Sequence, residues 1–247
     1  MAKNPQDPSL PGGLFPETQW SLIHRVRQEG PDGAAALEAL CRGYWPTIYG
    51  FLRARGCSKE DAEDLTQGFF ELILRKGLFQ SGQAERGRLS SLLLTALKQF
   101  HISQIRGARA QKRGGKQVMV PFDVEIAEKY FESHSNANRD PEKIYLAAWA
   151  RGLIDQAREK LRVAYQRSPR PDVSTALEPY LDPEYDRVPY REFAVKFTMR
   201  EAALRLQLFR LRQKFGDLIR EEIRQTVDTP KEAADELHWL MATLKEG

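Results

Sequence analysis

The sequence predicts an all-helical protein with two helical domains joined by a flexible linker. Apolar residues recur at spacings of three and four positions through most of the 247-residue chain. No run alternates apolar and polar residues as a half-buried strand would. The polar segment ESHSNANRDP separates two helical blocks and is typical of a linker. The expected organisation is a disordered tail at 1–14, a first domain at 15–117, a linker at 118–140, a second domain at 141–229 and a C-terminal helix at 230–247.

Composition excludes several classes of protein. No apolar stretch approaches the roughly 20 residues that a bilayer requires, and the polar N-terminus has no apolar core of a secretory signal. We therefore expect a cytoplasmic protein without a membrane partner. Two cysteines, Cys41 and Cys57, cannot form a disulfide framework, and the four histidines share no ligand-like spacing with them. We expect no metal, no other cofactor and no small-molecule substrate.

The first two helices are predicted from apolar spacing and local stop signals. A short helix is expected over 18–28, with Thr18 as its cap. The segment GPDG then breaks the chain, and a second helix is expected over 34–55. Pro46 should kink this helix or mark a restart, because proline removes one backbone hydrogen bond.

The next two helices form the most informative part of the chain. Ser58 with Asp61 fits a capping box, so a third helix should begin at Ser58 and end near Gly77. A fourth helix is expected over 87–110. Their predicted buried positions are Ala62, Leu65, Phe69 and Leu72 in the third helix, and Leu89, Leu92, Leu93, Ala96, Leu97, Phe100 and Ile105 in the fourth.

The second block consists of helices punctuated by prolines. A helix is expected from Asp140 to about Tyr165, followed by short elements between prolines. A short helix at 190–196 and a turn at 197–199 precede one long helix at 200–226. The long helix should bury Leu204, Leu208, Leu211, Phe215 and Leu218, and a last helix is expected over 231–244.

Charge is segregated along the chain. No Asp or Glu occurs between Glu85 and Asp123, whereas eight Lys or Arg do, and the helix that begins at Ser58 is acidic at its start. Such segregation suggests two different partners, one a protein and the other a polyanion, most plausibly nucleic acid.

Several segments together resemble a family of transcription factors. DAEDLTQGFF, followed by GRLSSLLLTALKQF and ARAQKRGG, resembles region 2 of extracytoplasmic-function (ECF) sigma factors of the sigma-70 family. YREFAVKF, TM and REAALRLQLFRLRQKF resemble their region 4 helix-turn-helix. The resemblance implies a protein without enzymatic chemistry that binds core RNA polymerase, recognises promoter DNA and helps to open it. An anti-sigma protein is a further candidate partner.

The third predicted helix carries the expected polymerase contacts. Its acidic and amide side chains suit a basic protein surface. The bland alternative is a solvated face whose charges complement the helix dipole. The resemblance implies core-polymerase contacts at Asp61, Glu63, Asp64, Gln67 and Phe70.

The fourth predicted helix and the basic segment after it carry the expected contacts to the minus-ten element. Arg and Lys neutralise phosphates, and aromatic and amide groups stack on or hydrogen-bond to unpaired bases. The alternatives are that Phe100 is a core residue and that the cations form a solvated tail. The expected DNA contacts are Gln99, Phe100, Gln104, Arg106, Arg109, Lys112 and Arg113.

The long helix is expected to read the minus-thirty-five element with its first turns. Arg200, Glu201 and Arg205 are the candidates for base contacts, and Arg210 and Arg212 for phosphate contacts. The chain departs from the family here, because Thr198 stands where the turn usually has Gly, and Arg200 replaces a small capping residue. We expect Thr198 to replace that cap from two residues earlier.

Three other functions remain open on the sequence alone. An enzyme is disfavoured, because GGK at 114–116 lacks the first Gly and the Ser or Thr of a phosphate loop. A helix-turn-helix regulator that acts without polymerase would need only the second block. A sigma-like protein-interaction module without promoter-reading activity would account for the atypical turn.

Overall fold

A computed structural model of the protein describes residues 31–76, 88–108, 124–134, 140–182, 185, 188–227 and 229–245. Every regular element within those residues is a helix, which confirms the all-helical prediction. The predicted tail at 1–14 and the predicted helix at 18–28 lie outside the described residues.

The first helix, α1, spans Pro31–Ala54 and forms the centre of the larger hydrophobic core. The helix is continuous through Pro46, which excludes a restart at this proline; the alternative, a kink, stays a prediction. The turns around Pro46 are buried among aromatic and aliphatic side chains. This packing keeps the helix continuous although the proline removes one backbone hydrogen bond. Those buried residues are Tyr44, Trp45, Ile48, Tyr49, Phe51 and Leu52.

The second helix, α2, spans Lys59–Lys76 and begins with the predicted cap. The Ser58 hydroxyl accepts a hydrogen bond from the Asp61 backbone N–H at 3.0 Å. Just before the helix, Gly56 has a φ of +87°, a conformation that glycine adopts at little cost. Ala62 and Phe69 are buried as predicted, so α2 presents this stripe to the core.

The third helix, α3, spans Leu89–Ala108 and packs beside α2. The two helices come close at Gly68, where an added Cβ would lie 3.4 Å from the Phe100 ring. Leu89, Leu93 and Leu97 are buried as predicted. The prediction for Ile105 is wrong, because its side chain is 49% exposed near the end of the helix.

A fourth helix, α4, spans Val124–His134 within the segment expected to be a linker. It packs on α1 through a buried polar cluster. The Tyr49 hydroxyl donates a hydrogen bond to Glu128. Arg53 donates to the same carboxylate from Nε at 2.9 Å and from Nη2 at 2.7 Å, and its guanidinium lies 5.4 Å from the centre of the Phe131 ring.

The fifth helix, α5, spans Pro141–Gln166 and contacts both α1 and helices that follow it in the C-terminal part of the chain. The Asp140 carboxylate caps it by accepting from the Glu142 N–H at 3.0 Å, and Pro141 occupies its first turn. Its first half, including Tyr145 and Trp149, belongs to the larger core. Its second half contributes Leu161 to a smaller core. This helix therefore connects the two cores.

The smaller core is formed by short helices around one long helix. Helix α6 spans Pro171–Leu177 and continues into a 3-10 helix, Glu178–Leu181. Helix α7 spans Tyr190–Phe197, and α8 spans Glu201–Arg224. The side chains of α8 that were predicted to face a core are buried or pack against it: Leu204, Leu208, Leu211, Phe215 and Leu218.

The last helix, α9, spans Pro230–Lys245 and returns to the larger core. A reciprocal capping box starts it: the Thr229 N–H donates to Glu232 at 3.0 Å, and the Glu232 N–H donates to the Thr229 hydroxyl at 3.2 Å. Leu240 is buried, whereas Met241 is 50% exposed. None of the helices described has both the length and the hydropathy that crossing a bilayer requires.

Two ion pairs connect the C-terminal helices to the rest of the fold. Lys160 of α5 lies 2.5 Å from the carboxylate of Glu222, whose side chain is only 1% exposed. Arg88, just before α3, lies 3.1 Å from the buried Glu236 of α9. Burial raises the pKa of Glu236, while Arg88 and the Ser90 hydroxyl act in the opposite direction.

Candidate functional site

The acidic face of α2 consists of Asp61, Glu63, Asp64 and Gln67. Asp61 and Asp64 are exposed, and Glu63 and Gln67 are half-buried. The first turn of the helix begins at the Ser58 cap, so Asp61 lies near the positive end of the helix dipole, and Asp64 follows in the next turn. Within the part of the chain described, no cation forms an ion pair with Asp61, Glu63 or Asp64. Their charges are therefore available to a basic partner.

The structure adds Glu60 to the acidic face. Glu60, Asp64 and Gln67 follow each other at intervals of four and three residues, so they lie on one side of α2, away from buried Ala62 and Phe69. The Glu60 side chain is exposed. The sequence analysis missed this residue, although its spacing from Asp64 was a sufficient signal.

Phe70 requires a correction. It was expected to contact the polymerase, but its side chain is only 2% exposed. The ring stacks on Trp45 with centroids 5.9 Å apart and packs against Phe69. Because the aromatic residues of α1 cover it, Phe70 supports the acidic face from inside the fold.

The expected minus-ten residues on α3 do not share one surface. Gln99 and Gln104 are both exposed, but they are five residues apart and lie on different sides of the helix. Gln99 shares its exposed side with Ile102, which is 49% exposed. The backbone of Arg106 is helical at the position seven residues after Gln99, on the same side.

Phe100 also requires a correction. Its side chain is 5% exposed, and its ring lies 5.6 Å from that of Phe69. Phe100 is therefore a core residue in this structure. Stacking on a DNA base would require its ring to leave the contact with Phe69 of α2. The remaining expected contacts, Arg109, Lys112 and Arg113, lie outside the described residues.

Two other polar residues of α3 have structural partners. The Lys98 ammonium lies 2.6 Å from the Glu142 carboxylate at the start of α5. His101 is buried, and its Nε2 lies 3.7 Å from the Cys57 sulfur. Burial lowers the pKa of His101, and the positive charge of Arg55 lowers it further. Lys98 and His101 therefore contact neighbouring parts of the fold. Neither side chain is expected to contribute to a contact on the exposed side of α3.

The turn between α7 and α8 forms without the usual glycine. Thr198 has φ +54° and ψ +46°, the left-handed conformation, at the C-terminal end of α7. The Met199 N–H donates to the Ala194 carbonyl at 3.0 Å, which closes the end of the helix. Arg170 donates to the Phe197 carbonyl at 3.2 Å. These bonds to the last carbonyls offset the steric cost of a threonine in this conformation.

The prediction that Thr198 caps the long helix is wrong. Arg200 occupies the cap position of α8, with extended backbone and no side-chain hydrogen bond to the helix. Thr198 cannot reach that position because it already ends α7 in the left-handed conformation. The exposed first turn of α8 therefore keeps its backbone N–H groups free of a side-chain cap.

The cations of α8 lie on both flanks of its exposed side. The Arg205 guanidinium lies 4.3 Å from the centre of the Tyr190 ring and 3.8 Å from Glu201, which also lies 3.9 Å from Arg191. Arg212 donates to the Tyr180 carbonyl at 3.0 Å. Arg200, Arg205, Arg210 and Arg212 are exposed. Cations on the two flanks of this helix can contact a polyanion that presents negative charge on both sides of α8.

The middle of the exposed side of α8 is apolar. Leu206 is 48% exposed and Phe209 is 57% exposed. Sequence analysis did not place either side chain in an interface, although their spacing from buried Leu204 and Leu208 indicates the outward side.

No group of three His, Cys, Asp or Glu side chains is arranged as metal ligands among the residues described. Comparisons with protein-family models, with curated proteins and with solved structures gave no match to this chain.

Proposed function

We propose that the protein is a bacterial transcription initiation factor that binds core RNA polymerase, directs it to promoter DNA and helps to open the strands. The observation that carries the proposal is the combination of an exposed acidic face on α2 with a cation-flanked helix-turn-helix formed by α7 and α8. The protein has no enzymatic activity in this proposal. In this proposal it acts in the cytoplasm, and its two helical domains are joined through α5, because the segment expected to be a flexible linker contains α4, which packs on α1.

The acidic face supports the polymerase part of the proposal. Asp61 and Asp64 are exposed, and the core of α1 and α2 holds the helix beneath them rigidly. A preorganised array of carboxylates attracts a basic protein surface and loses little side-chain freedom on binding. The resemblance to sigma region 2 assigns that surface to core RNA polymerase.

The helix-turn-helix supports the promoter part. The exposed side of α8 carries arginines on both flanks along its length, as a helix needs in order to lie in a major groove between two phosphate strands. The basic residues Arg106, Arg109, Lys112 and Arg113 are proposed to follow the minus-ten strand. An anti-sigma protein that covers either surface is a further proposed partner.

The decisive experiment measures association with core polymerase. Changing Asp61 and Asp64 together to Lys should weaken the binding free energy for core RNA polymerase by about 2–5 kcal/mol or more, because each reversal replaces attraction by repulsion. Less polymerase should therefore co-purify with the double variant than with the wild type. Asp235→Lys is the matched control, since Asp235 is an exposed carboxylate on α9. Circular dichroism should show unchanged helicity in all variants.

Two outcomes would refute the assignment. Equal recovery of polymerase with the double variant and the wild type would remove the acidic face from the interface. Failure of the wild-type protein to recover polymerase would leave a helix-turn-helix regulator that acts alone. Run-off transcription from a cognate promoter then separates an initiation factor from an interaction module, because only the former yields a transcript.

A further inference from the structure

The outward side of α8 is a narrow apolar strip between cations. The strip consists of Ala202, Leu206 and Phe209, and the polar Gln213 follows it on the same side; the four residues are spaced at intervals of four, three and four. This spacing places them opposite the buried stripe of Leu204, Leu208 and Leu211.

Neither large apolar side chain has an evident role in folding. Leu206 and Phe209 are about half exposed, at 48% and 57%, whereas the adjacent core positions Leu204 and Leu208 are at most 2% exposed. Their spacing of three residues places them next to each other on the helix surface, and contiguous exposed apolar patches mark surfaces that bind a partner. On the side of the strip, the first turn carries the exposed methyl groups of Ala202 and Ala203, whereas the Glu201 carboxylate is directed toward Arg205 and Arg191, so a partner can approach the backbone closely at the two alanines.

The charges on both sides of the strip indicate what covers it. Arg205 and Arg212 lie on one flank, and Arg210 and Lys214 lie on the other, all with exposed side chains. Arg205 is held over the Tyr190 ring, away from the strip. A partner must therefore present negative charge on two sides and apolar groups between them. Duplex DNA has this arrangement in its major groove, where phosphates flank the base edges.

We propose that the apolar strip reads thymine methyl groups, so that Leu206 and Phe209 give the protein a preference for A·T pairs in the upstream element. The inference rests on the proposed function and names the bases that its helix-turn-helix selects. Thymine is the only base that carries a methyl group in the major groove, and Ala and Phe side chains are known to contact it. The flanking cations supply affinity, and the strip supplies sequence preference.

The test removes the methyl group alone. Full-length protein assembled with bacterial core RNA polymerase first selects sites from randomised duplex DNA. Each enriched thymine is then replaced by uracil, which keeps every hydrogen-bonding group and lacks only the methyl. Affinity should fall by about fourfold at each contacted thymine, the loss expected for one buried methyl group.

Substitutions in the apolar strip test whether its side chains cause the difference in affinity between thymine and uracil sites. Leu206→Ala and Phe209→Ala should bind thymine and uracil sites equally at the positions that each side chain contacts, while keeping the salt dependence of the wild type. Val163→Ala is the matched control, because Val163 is 46% exposed on α5 and lies off the strip. It should retain the full discrimination.

The outcomes separate this inference from the proposed function. Recovery of core polymerase together with equal affinity for thymine and uracil at every position would overturn the inference and leave the function standing. Release of core polymerase by Leu206→Ala or Phe209→Ala without DNA present would overturn it in favour of a protein-binding strip. If the wild type recovers no polymerase, the proposed function fails and the inference fails with it.

Discussion

Some residues of this protein have unfavourable backbone conformations that are stabilised by hydrogen bonds from neighbouring residues. The clearest case is Thr198, a β-branched residue in the left-handed region at the α7–α8 turn. L-residues lose about 1–2 kcal/mol in this region, whereas glycine does not. The hydrogen bonds from Met199 to Ala194 and from Arg170 to Phe197 keep the turn closed in spite of that cost.

Replacing Thr198 by Gly should therefore stabilise the protein. We expect the free energy of unfolding to rise by about 0.5–1 kcal/mol, because the relief of strain exceeds the added freedom of glycine in the unfolded chain. Urea unfolding followed by circular dichroism measures the change. The same substitution at Thr95, in the interior of α3, should lower stability. A decrease at both positions would contradict the strain argument.

At the scale of single helices, α4 shows how a segment of linker composition becomes ordered. Its contact with α1 depends on the Glu128 carboxylate, which is 8% exposed and accepts from Arg53 and Tyr49. The Arg53 guanidinium holds the pKa of Glu128 below its usual range, the Tyr49 hydroxyl adds to this effect, and burial opposes it. The pair therefore contributes stability only while Glu128 is ionised.

Glu128→Gln should destabilise the protein in a pH-dependent way. Above about pH 5 the loss should be about 1.5–3 kcal/mol, as expected when hydrogen bonds to a charged group are weakened. A carboxyl whose pKa is depressed on folding loses its contribution as the pH falls from its unfolded pKa, about 4.3, through its lower folded pKa. The difference between wild type and variant should therefore shrink over that range.

Urea unfolding between pH 3 and pH 7 tests this dependence. Glu132→Gln is the control on the same helix, since Glu132 is exposed, and it should change stability by less than about 0.5 kcal/mol. A difference between wild type and Glu128→Gln that stays constant across the range would exclude the ionised carboxylate as the cause.

At the scale of the whole molecule, the two cores are joined along α5 and α8. Lys160 lies on α5 next to Leu161, which belongs to the smaller core. Its partner Glu222 lies on α8 next to Ile223, which belongs to the larger core. The pair thus lies where the two cores meet. The Glu222 side chain is 1% exposed, so it depends on Lys160 to balance its charge.

Lys160→Met should lower the free energy of unfolding by about 3–5 kcal/mol, because it leaves a buried carboxylate without its cation. Adding Glu222→Leu should recover most of the loss, since a well-packed apolar pair removes the cost of burying both charges. Denaturant unfolding of the two single variants and the double variant measures the coupling. Additive losses would show that the two side chains contribute independently.

The sequence alone determined the positions of most of the described helices and the main apolar stripes of α2, α3 and α8. Apolar spacing located α2, α3, α5 and α8 closely, and the cap at Ser58 formed as predicted. It also identified the acidic face, whose exposed aspartates follow from helical spacing. These features depend on residues within a few positions of one another, and the sequence displays those relationships directly.

Only the tertiary structure decided the burial of side chains that helical spacing left outside the apolar stripe or open between two roles. Phe70 lies outside the predicted stripe of α2, and spacing allowed Phe100 either a core role or a DNA contact; packing against Trp45 and Phe69 places both rings in the core. Helix α4 is fixed by Glu128 and Tyr49, which are 79 positions apart in the sequence. The burial of a side chain depends on partners that the fold brings together from distant positions, and local spacing does not specify those partners.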